Sequence, residues 1–397
     1  MSVERMEAPR EVIRVPAWRR AVVKVGSALV APGGRCSTQY LLPLARFVAE
    51  SRRQGREVIL VSSGAVAAGQ GALADRASRP RSIPEKQALA AVGQPLLMAL
   101  WQRLFDVPCA QLLLTYDDVA DRRRFINARN TLAELLRRGT LPIVNENDTV
   151  AVEELKVGDN DNLAAHVAVL AGADLLVICS DVDGLFEADP RVHPEARLIP
   201  RVARIDEAVY ARAGGAGGPT ATGGMRTKVE AAAKATARGI DTLIVNGTVG
   251  AHFDGLLGGT VRGTLFCRQE VPLAARKHWL LHTLPEAGRL VVDEGAAEAL
   301  RTRGASLLPS GIREVEGRFE AGDAVLVVCR RDGTDEPVAK GLSQYADHEL
   351  RRIRGCQSAE IEARLGFVNR EVVIHRDDLV LLNVVPNRPD TSRPAEP

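Results

Sequence analysis

Six short runs rich in valine, isoleucine and leucine recur along the first two-thirds of the chain, at 21–25, 57–61, 111–114, 141–144, 174–178 and 242–245. Between them lie stretches with helical spacing, at 40–54, 85–105, 127–138, 162–171 and 228–238. A strand buried on both faces reads as a continuous apolar run, and strands joined by helical crossovers pair in parallel. The alternation therefore predicts an α/β domain over residues 15–265, a mainly parallel sheet sandwiched by helices. Beyond about residue 265 the texture changes. Short runs at 289–292, 324–329 and 372–374 are separated by Gly, Asp and Pro turns, with helical patches at 295–303 and 346–353. That pattern predicts a small, mostly β domain over 276–382. The stretch 264–276 reads as a linker, and 383–397, with four prolines among charged residues, as a disordered tail.

Composition narrows the function classes. A chain of 397 residues exceeds what one ordinary core accommodates. Its 52 Lys+Arg against 50 Asp+Glu leave a net charge of +2, so no bulk field draws polyanions. Aromatics at 4% are too few for a base-stacking surface. No uncharged apolar stretch reaches the roughly 18 residues of a membrane span, and the first twenty residues lack the apolar core of a secretory signal. The six cysteines are widely spaced and form no CxxC pair, which disfavours a zinc ribbon or disulfide framework. The expectation is a cytoplasmic protein with reduced thiols and no membrane partner. Only seven of the 52 basic residues are lysine. Where lysine persists in so arginine-biased a chain, a compact ammonium is the group required.

Five segments carry the candidate chemistry. Val22-Val23-Lys24-Val25-Gly26-Ser27 puts a lysine into an apolar run at the carboxyl end of a strand, where α/β sheets bind ligands. Gly26 allows close backbone approach. Val61-Ser62-Ser63-Gly64-Ala65 is a small-residue turn whose backbone N–H groups can meet an anion at a helix start; an ordinary N-cap serine reads the same way. Asn145-Glu146-Asn147-Asp148 and Gly158-Asp159-Asn160-Asp161-Asn162 place eight acidic or amide residues in two short loops, more than capping needs. They suit the grip of an amino acid's ammonium group and the positioning of lysines. No DxDxDG pattern makes them a calcium loop. Ser180-Asp181-Val182-Asp183-Gly184-Leu185 again follows a strand and fits either a nucleotide contact or a plain turn. In Gly214 to Lys228, six of the first eleven residues are glycine, and the segment ends Thr222-Gly223-Gly224-Met225-Arg226-Thr227-Lys228 at a helix start. That suits polyphosphate, though it matches neither a Walker A loop nor a dinucleotide fingerprint. Two lysines, a glycine loop and an acid/amide cluster together suggest phosphoryl transfer to a small polar acceptor.

With Tyr116 to Asp121 and Asn127-Ala128-Arg129-Asn130-Thr131-Leu132, these motifs resemble the amino acid kinase family and, within it, the kinases of the glutamate γ-carboxylate. The combination VSSGAVAAG (61–69), NENDTV (145–150), KVGDNDNLAA (156–165) and TGGMRTK (222–228) is specific, and the resemblance runs from about Arg19 to Asp378. The segment with Asp293-Glu294-Gly295-Ala296, Leu307 to Ile312 and His375 to Asp378 is similar to a PUA domain. The resemblance implies ATP-dependent phosphorylation of L-glutamate with Mg²⁺, the first step of proline synthesis, feedback inhibition by proline, and a homo-oligomeric dimer or tetramer. It implies Ser63, Asp148 and Asn160 as glutamate-binding residues, and Lys24 and Lys228 as catalytic contacts to the phosphates. Asp161 would organise the lysines, with Ser180, Asp181 and Thr222, Gly223, Gly224, Met225, Arg226, Thr227 and Lys228 as nucleotide-binding positions. Coupling to a glutamyl phosphate reductase follows from the lability of an acyl phosphate. Ser180 stands where the family usually has Thr, Ala221 where it has Gly, and Phe186 where it has Tyr.

The rivals are kinases of N-acetylglutamate, aspartate, carbamate or UMP, which share the lysines and glycine loop but not the NEND and GDND loops. RNA binding through the PUA-like segment is a different class. Residues 276–380 carry 16 Lys+Arg against 18 Asp+Glu, a poor balance for phosphate contacts, so no nucleic-acid partner is expected.

Overall fold

The computed structural model describes residues 12–74, 81–151, 160–214, 224–269, 286–331, 333–366 and 371–382. They fall into two compact units, one up to Val271 and one from Pro272.

The first unit is built on the strands β1 (Val12–Arg14), β2 (Arg20–Val25), β3 (Glu57–Ser62), β4 (Cys109–Leu114), β5 (Leu141–Glu146), β6 (Leu175–Ser180), β7 (Arg201–Val202), β8 (Asp241–Asn246), β9 (Thr260–Arg262) and β10 (Thr264–Phe266). The eight-stranded sheet has the order β4-β5-β3-β2-β6-β8-β10-β7. Its first six strands are mutually parallel, and β10 turns antiparallel against β8. All six apolar runs of the sequence are therefore strands of one parallel sheet, as the alternation predicts. The small strands escaped the sequence pattern; Thr264–Phe266, expected as linker, forms β10 beside β8.

Alternate residues of each strand feed two separate cores. Val23, Val25, Leu60, Ile143, Val177, Leu243 and Val245 pack on one face with Leu44, Phe47 and Val48 of helix Leu41–Arg53 and Leu97 and Trp101 of helix Ile83–Leu104. Val22, Ile59, Val61, Val144, Leu176, Ile178 and Ile244 pack on the other with helices Asn160–Ala171 and Met225–Thr236. Burial of each such side chain contributes about 1.5–3 kcal/mol, which fixes strand register and hence where each strand ends.

The second unit holds β11 (Gly288–Val292), β12 (Ile312–Gly317), β13 (Ala324–Arg331), β14 (Thr334–Leu342) and β15 (Leu379–Leu381) in the order β12-β11-β13-β14-β15. Only the β11–β13 pair is parallel. Helices Glu294–Arg303 and Asp347–Ile353 close its core with Leu300, Leu350 and Ile353. The run 372–374, expected as a strand, contributes a single bridge from Ile374 to Leu307. The tail 383–397 lies outside the described residues.

Candidate active site

The polar residues converge where the parallel strands end. Lys24 is the penultimate residue of β2, paired with Val61 of β3 and Ile178 of β6, and its side chain is 5% exposed. Asp161, in the first turn of helix Asn160–Ala171, is wholly buried. Lys228 lies in the first turn of helix Met225–Thr236 and is also buried. Their strands and helices bring them together: Lys24 Nζ is 2.6 Å from Asp161 Oδ1, and Lys228 Nζ is 2.9 Å from Asp161 Oδ2. The Thr227 hydroxyl lies 3.3 Å from the same Oδ2. Buried charge is tolerated only when paired. Here one carboxylate meets two ammonium groups at the rim of the sheet, where lysine side chains can face an anion. Below it, burial pushes the Cys179 thiol up to about 12, so the neighbouring β6 residue stays neutral.

A second cluster adjoins this trio through the chain, since Asn160 precedes Asp161. The Asn160 amide nitrogen is 2.8 Å from Ser62 O, 3.0 Å from Ser63 Oγ and 2.8 Å from Asn145 Oδ1. Ser62 is held from behind by the Trp101 indole N–H, which donates to its hydroxyl at 3.0 Å. The loop turns into helix Ala65–Ala72 through Gly64 at φ +104°, a backbone conformation that a side chain would strain. Asp148 is half-buried in the turn after β5, where Ala151 N donates to Asn147 O. Ser63, Asn160 and Asp161 are thus brought together.

Ser180 ends β6 and is buried; its hydroxyl donates to Asp181 Oδ1 at 3.1 Å, while its carbonyl accepts from Gly247 N. Asp181 is exposed. Gly224 is the N-cap of helix Met225–Thr236, which has no side-chain cap and no acidic residue in its first turn. The positive end of its dipole therefore faces no acidic side chain of its own first turn, a setting that suits an anion. Met225 packs against the core, and Arg226 pairs with Glu230 at the surface. Thr222 and Gly223 lie outside the described residues. Two residues with no motif of their own also belong here: Trp101 and Gln94, whose Oε1 accepts from Asn145 Nδ2 at 2.8 Å. Both come from the long helix Ile83–Leu104, remote in sequence from either polar loop. A shallow depression beside the site is lined by Glu146, Thr115, Tyr116 and His166, but by none of the lysine–aspartate trio.

A lysine pair drawn onto one carboxylate at the carboxyl ends of parallel strands is chemically suited to neutralising charge on a phosphoryl group. The comparisons agree. The model of the amino acid kinase family matches residues 19–246, and that of the PUA domain matches 288–365. The glutamate 5-kinase of Salinibacter ruber (strain DSM 13855 / M31) is 64% identical over 374 residues, 93% of this chain and 99% of that one. The glutamate 5-kinase of Idiomarina loihiensis is 53% identical over 93% of this chain and 99% of its own. That of Xanthomonas euvesicatoria pv. vesicatoria is 52% identical over 91% and 100%. The chain belongs to the amino acid kinase family, in its glutamate 5-kinase branch, and carries a C-terminal PUA domain.

Proposed function

We propose that this chain transfers the γ-phosphoryl group of ATP to the γ-carboxylate of L-glutamate, giving L-glutamyl 5-phosphate, the first step from glutamate towards proline. The observation that carries the reading is the Lys24–Asp161–Lys228 trio set beside the Ser63–Asn160 cluster. A carboxylate is already ionised at neutral pH, so the acceptor needs no general base. The barrier is the approach of two anions, and it is lowered by preorganised positive charge. Lys24 and Lys228 neutralise the transferring oxygens, and Asp161 holds both ammonium groups in place. Ser63, Asp148 and Asn160 grip the amino acid. Ser180, Asp181 and the segment Thr222 to Lys228 receive the nucleotide.

Transfer from ATP calls for a divalent cation, and Mg²⁺ is the one proposed. Bound, it offsets charge on the polyphosphate. Asp161 already serves two lysines, and no cluster of three His, Cys, Asp or Glu side chains stands ready to hold a metal among the described residues. The donor set fits a cation that arrives on the phosphate oxygens, as Mg²⁺ usually does.

The finer readings are proposals of the same kind. The kinase domain spans 15–265 and the PUA-like domain 276–382. A homo-oligomer is supported by β4, the outermost strand of its sheet, and by the exposed stripe Ala88, Ala91, Val92, Pro95, Leu96 and Ala99 on helix Ile83–Leu104. Inhibition by proline and coupling to a glutamyl phosphate reductase rest on the resemblance and on the lability of the product. No helix among the described residues is long and apolar enough to cross a membrane, and a cytoplasmic location is proposed. The PUA-like unit is read as structural rather than as an RNA reader. Its Arg330 is engaged by Glu314, Glu316 and Asp335 at 2.6–2.9 Å, and Arg331, Arg313 and Arg301 pair with Glu294, Asp293 and Glu336.

A hydroxamate assay tests the central reading: protein, MgATP and hydroxylamine with L-glutamate, N-acetyl-L-glutamate or L-aspartate, each with and without proline. The expected result is hydroxamate from glutamate alone, suppressed by proline. Product from another acid, or from none, overturns the substrate assignment.

A further inference from the structure

Three side-chain amides lie in series behind the acceptor cluster, and two backbone groups fix the orientation of all three. Ser62 O can only accept, so the corner of Asn160 that approaches it at 2.8 Å is the NH₂. Glu146 N can only donate, so the corner of Asn145 at 2.9 Å from it is the oxygen. That same oxygen accepts from Asn160 Nδ2 at 2.8 Å. The NH₂ of Asn145 is thereby turned to Gln94, which must meet it with an acceptor, Oε1 at 2.8 Å. Asn145 is buried, so a mismatch anywhere in the series would leave a polar group unpaired and costly.

The consequence reaches the substrate. With its NH₂ committed to the protein, Asn160 offers its oxygen corner to whatever binds beside Ser63. An amide oxygen accepts from a primary ammonium and cannot serve a carboxylate. We infer that Gln94 is a positioning residue for the acceptor amino acid: by accepting from Asn145, it locks the amide series in the one orientation that presents Asn160 Oδ1 to the substrate's ammonium. Gln94 acts through Asn145 and Asn160 rather than by touching the substrate. This deepens the proposed function and rests on Asn160 being part of the glutamate site.

The conservative and the disruptive substitutions separate this role from plain packing. Gln94→Met keeps the length and apolar stem but removes the acceptor. It is expected to raise KM for glutamate about tenfold, the scale of one buried polar group left unpaired, with KM for ATP within about twofold of wild type. Gln94→Glu restores an acceptor-only corner and is expected to return KM for glutamate close to wild type. If Gln94→Met leaves KM for glutamate unchanged, raises both KM values together, or is matched by Gln94→Glu, the positioning role is overturned. Asn160→Ala, measured alongside, separates the two levels. An unchanged KM for glutamate in that variant removes the acceptor-site reading itself, whereas a raised KM there with a silent Gln94→Met removes only the role of Gln94.

Discussion

At Asp161 two requirements meet in one side chain. It is fully buried, and a buried carboxylate must be paired; two buried lysines are equally in need of it. Each ammonium contributes to neutralising the transferring group, so Lys24→Ala and Lys228→Ala are expected to fold yet lose roughly 10²–10³ in turnover, the cost of one preorganised donor. Lys228→Arg should not rescue, because a planar guanidinium fork is larger and differently hydrated than an ammonium. Steady-state kcat of the purified variants checks both statements; rates near wild type in either alanine variant would remove that lysine from the mechanism. This part of the site was legible in the sequence. Lys24 breaks an apolar run, and lysine is rare in this chain, so its position carried information before any geometry. Which acid of the two polar motifs would meet the lysines was not legible from spacing alone, because Asp148, Asp159 and Asp161 stand in the sequence as equivalent candidates. Gln94 and Trp101 were not legible at all. They lie on a helix whose pattern reads as ordinary packing, and only the tertiary contact to Asn145 and Ser62 gives them a role.

The elements that carry the acceptor loop are held by an unusually close helix pair. Helix Ala65–Ala72 lies against helix Ile83–Leu104 through glycines. A Cβ on Gly93 would come within 1.8 Å of Ala65 O, and one on Gly69 within 1.9 Å of Leu89 O. Both are impossible without separating the helices. Gly93→Ala is therefore expected to cost about 1–3 kcal/mol as overpacking and to lower Tm by several degrees. Because Gln94 follows it and Ser63 leads into the partner helix, KM for glutamate should rise too. Gly258→Ala is the control: a Cβ there meets nothing within 4 Å, and it should be neutral or slightly stabilising. Thermal melts of the two variants decide the matter, and equal Tm values would refute the contact argument. Elements differ in how plainly the sequence announces them. Strands β2 to β6 and β8 are apolar on both faces and were read directly. Strand β14 was missed because Asp335, Glu336 and Pro337 interrupt its pattern. Its pairing with β13 shifts register there, with Val328 opposite Pro337 and Val327 opposite Ala339, so Val338 is accommodated as a bulge and the proline is tolerated.

For the molecule as a whole, the dependence of stability on pH separates into two windows. His166, on the helix that carries Asn160 and Asp161, packs edge-on to Tyr116, and its buried Nε2 has no hydrogen-bond partner among the described residues. Burial first, then the nearby Lys234 and Arg238, pull its pKa from the usual 6.5 down to about 4. A base with a depressed folded pKa is neutral in the fold while the unfolded chain takes up a proton. Stability is thus intact above pH 6.5 and falls as pH drops through that value towards 4. The carboxylates act lower. Asp118 and Asp183 are held below the usual carboxylate range by hydrogen bonds, from Thr115 and Arg124 in one case and from Arg262 and Asn246 in the other, which outweigh their burial. Their stabilisation is present above the usual carboxylate pKa of about 3.8 and is lost only below it. The interval from pH 6.5 to 4.5 therefore lies above the window of these two aspartates and within that of His166. His166→Phe, which keeps the aromatic edge against Tyr116 and removes the proton site, should give a flatter Tm profile across that interval. Wild type should lose stability progressively relative to it as pH falls. Parallel profiles for the two proteins would show that His166 takes up no proton on unfolding in this range, and would overturn its part in the acid sensitivity of the fold.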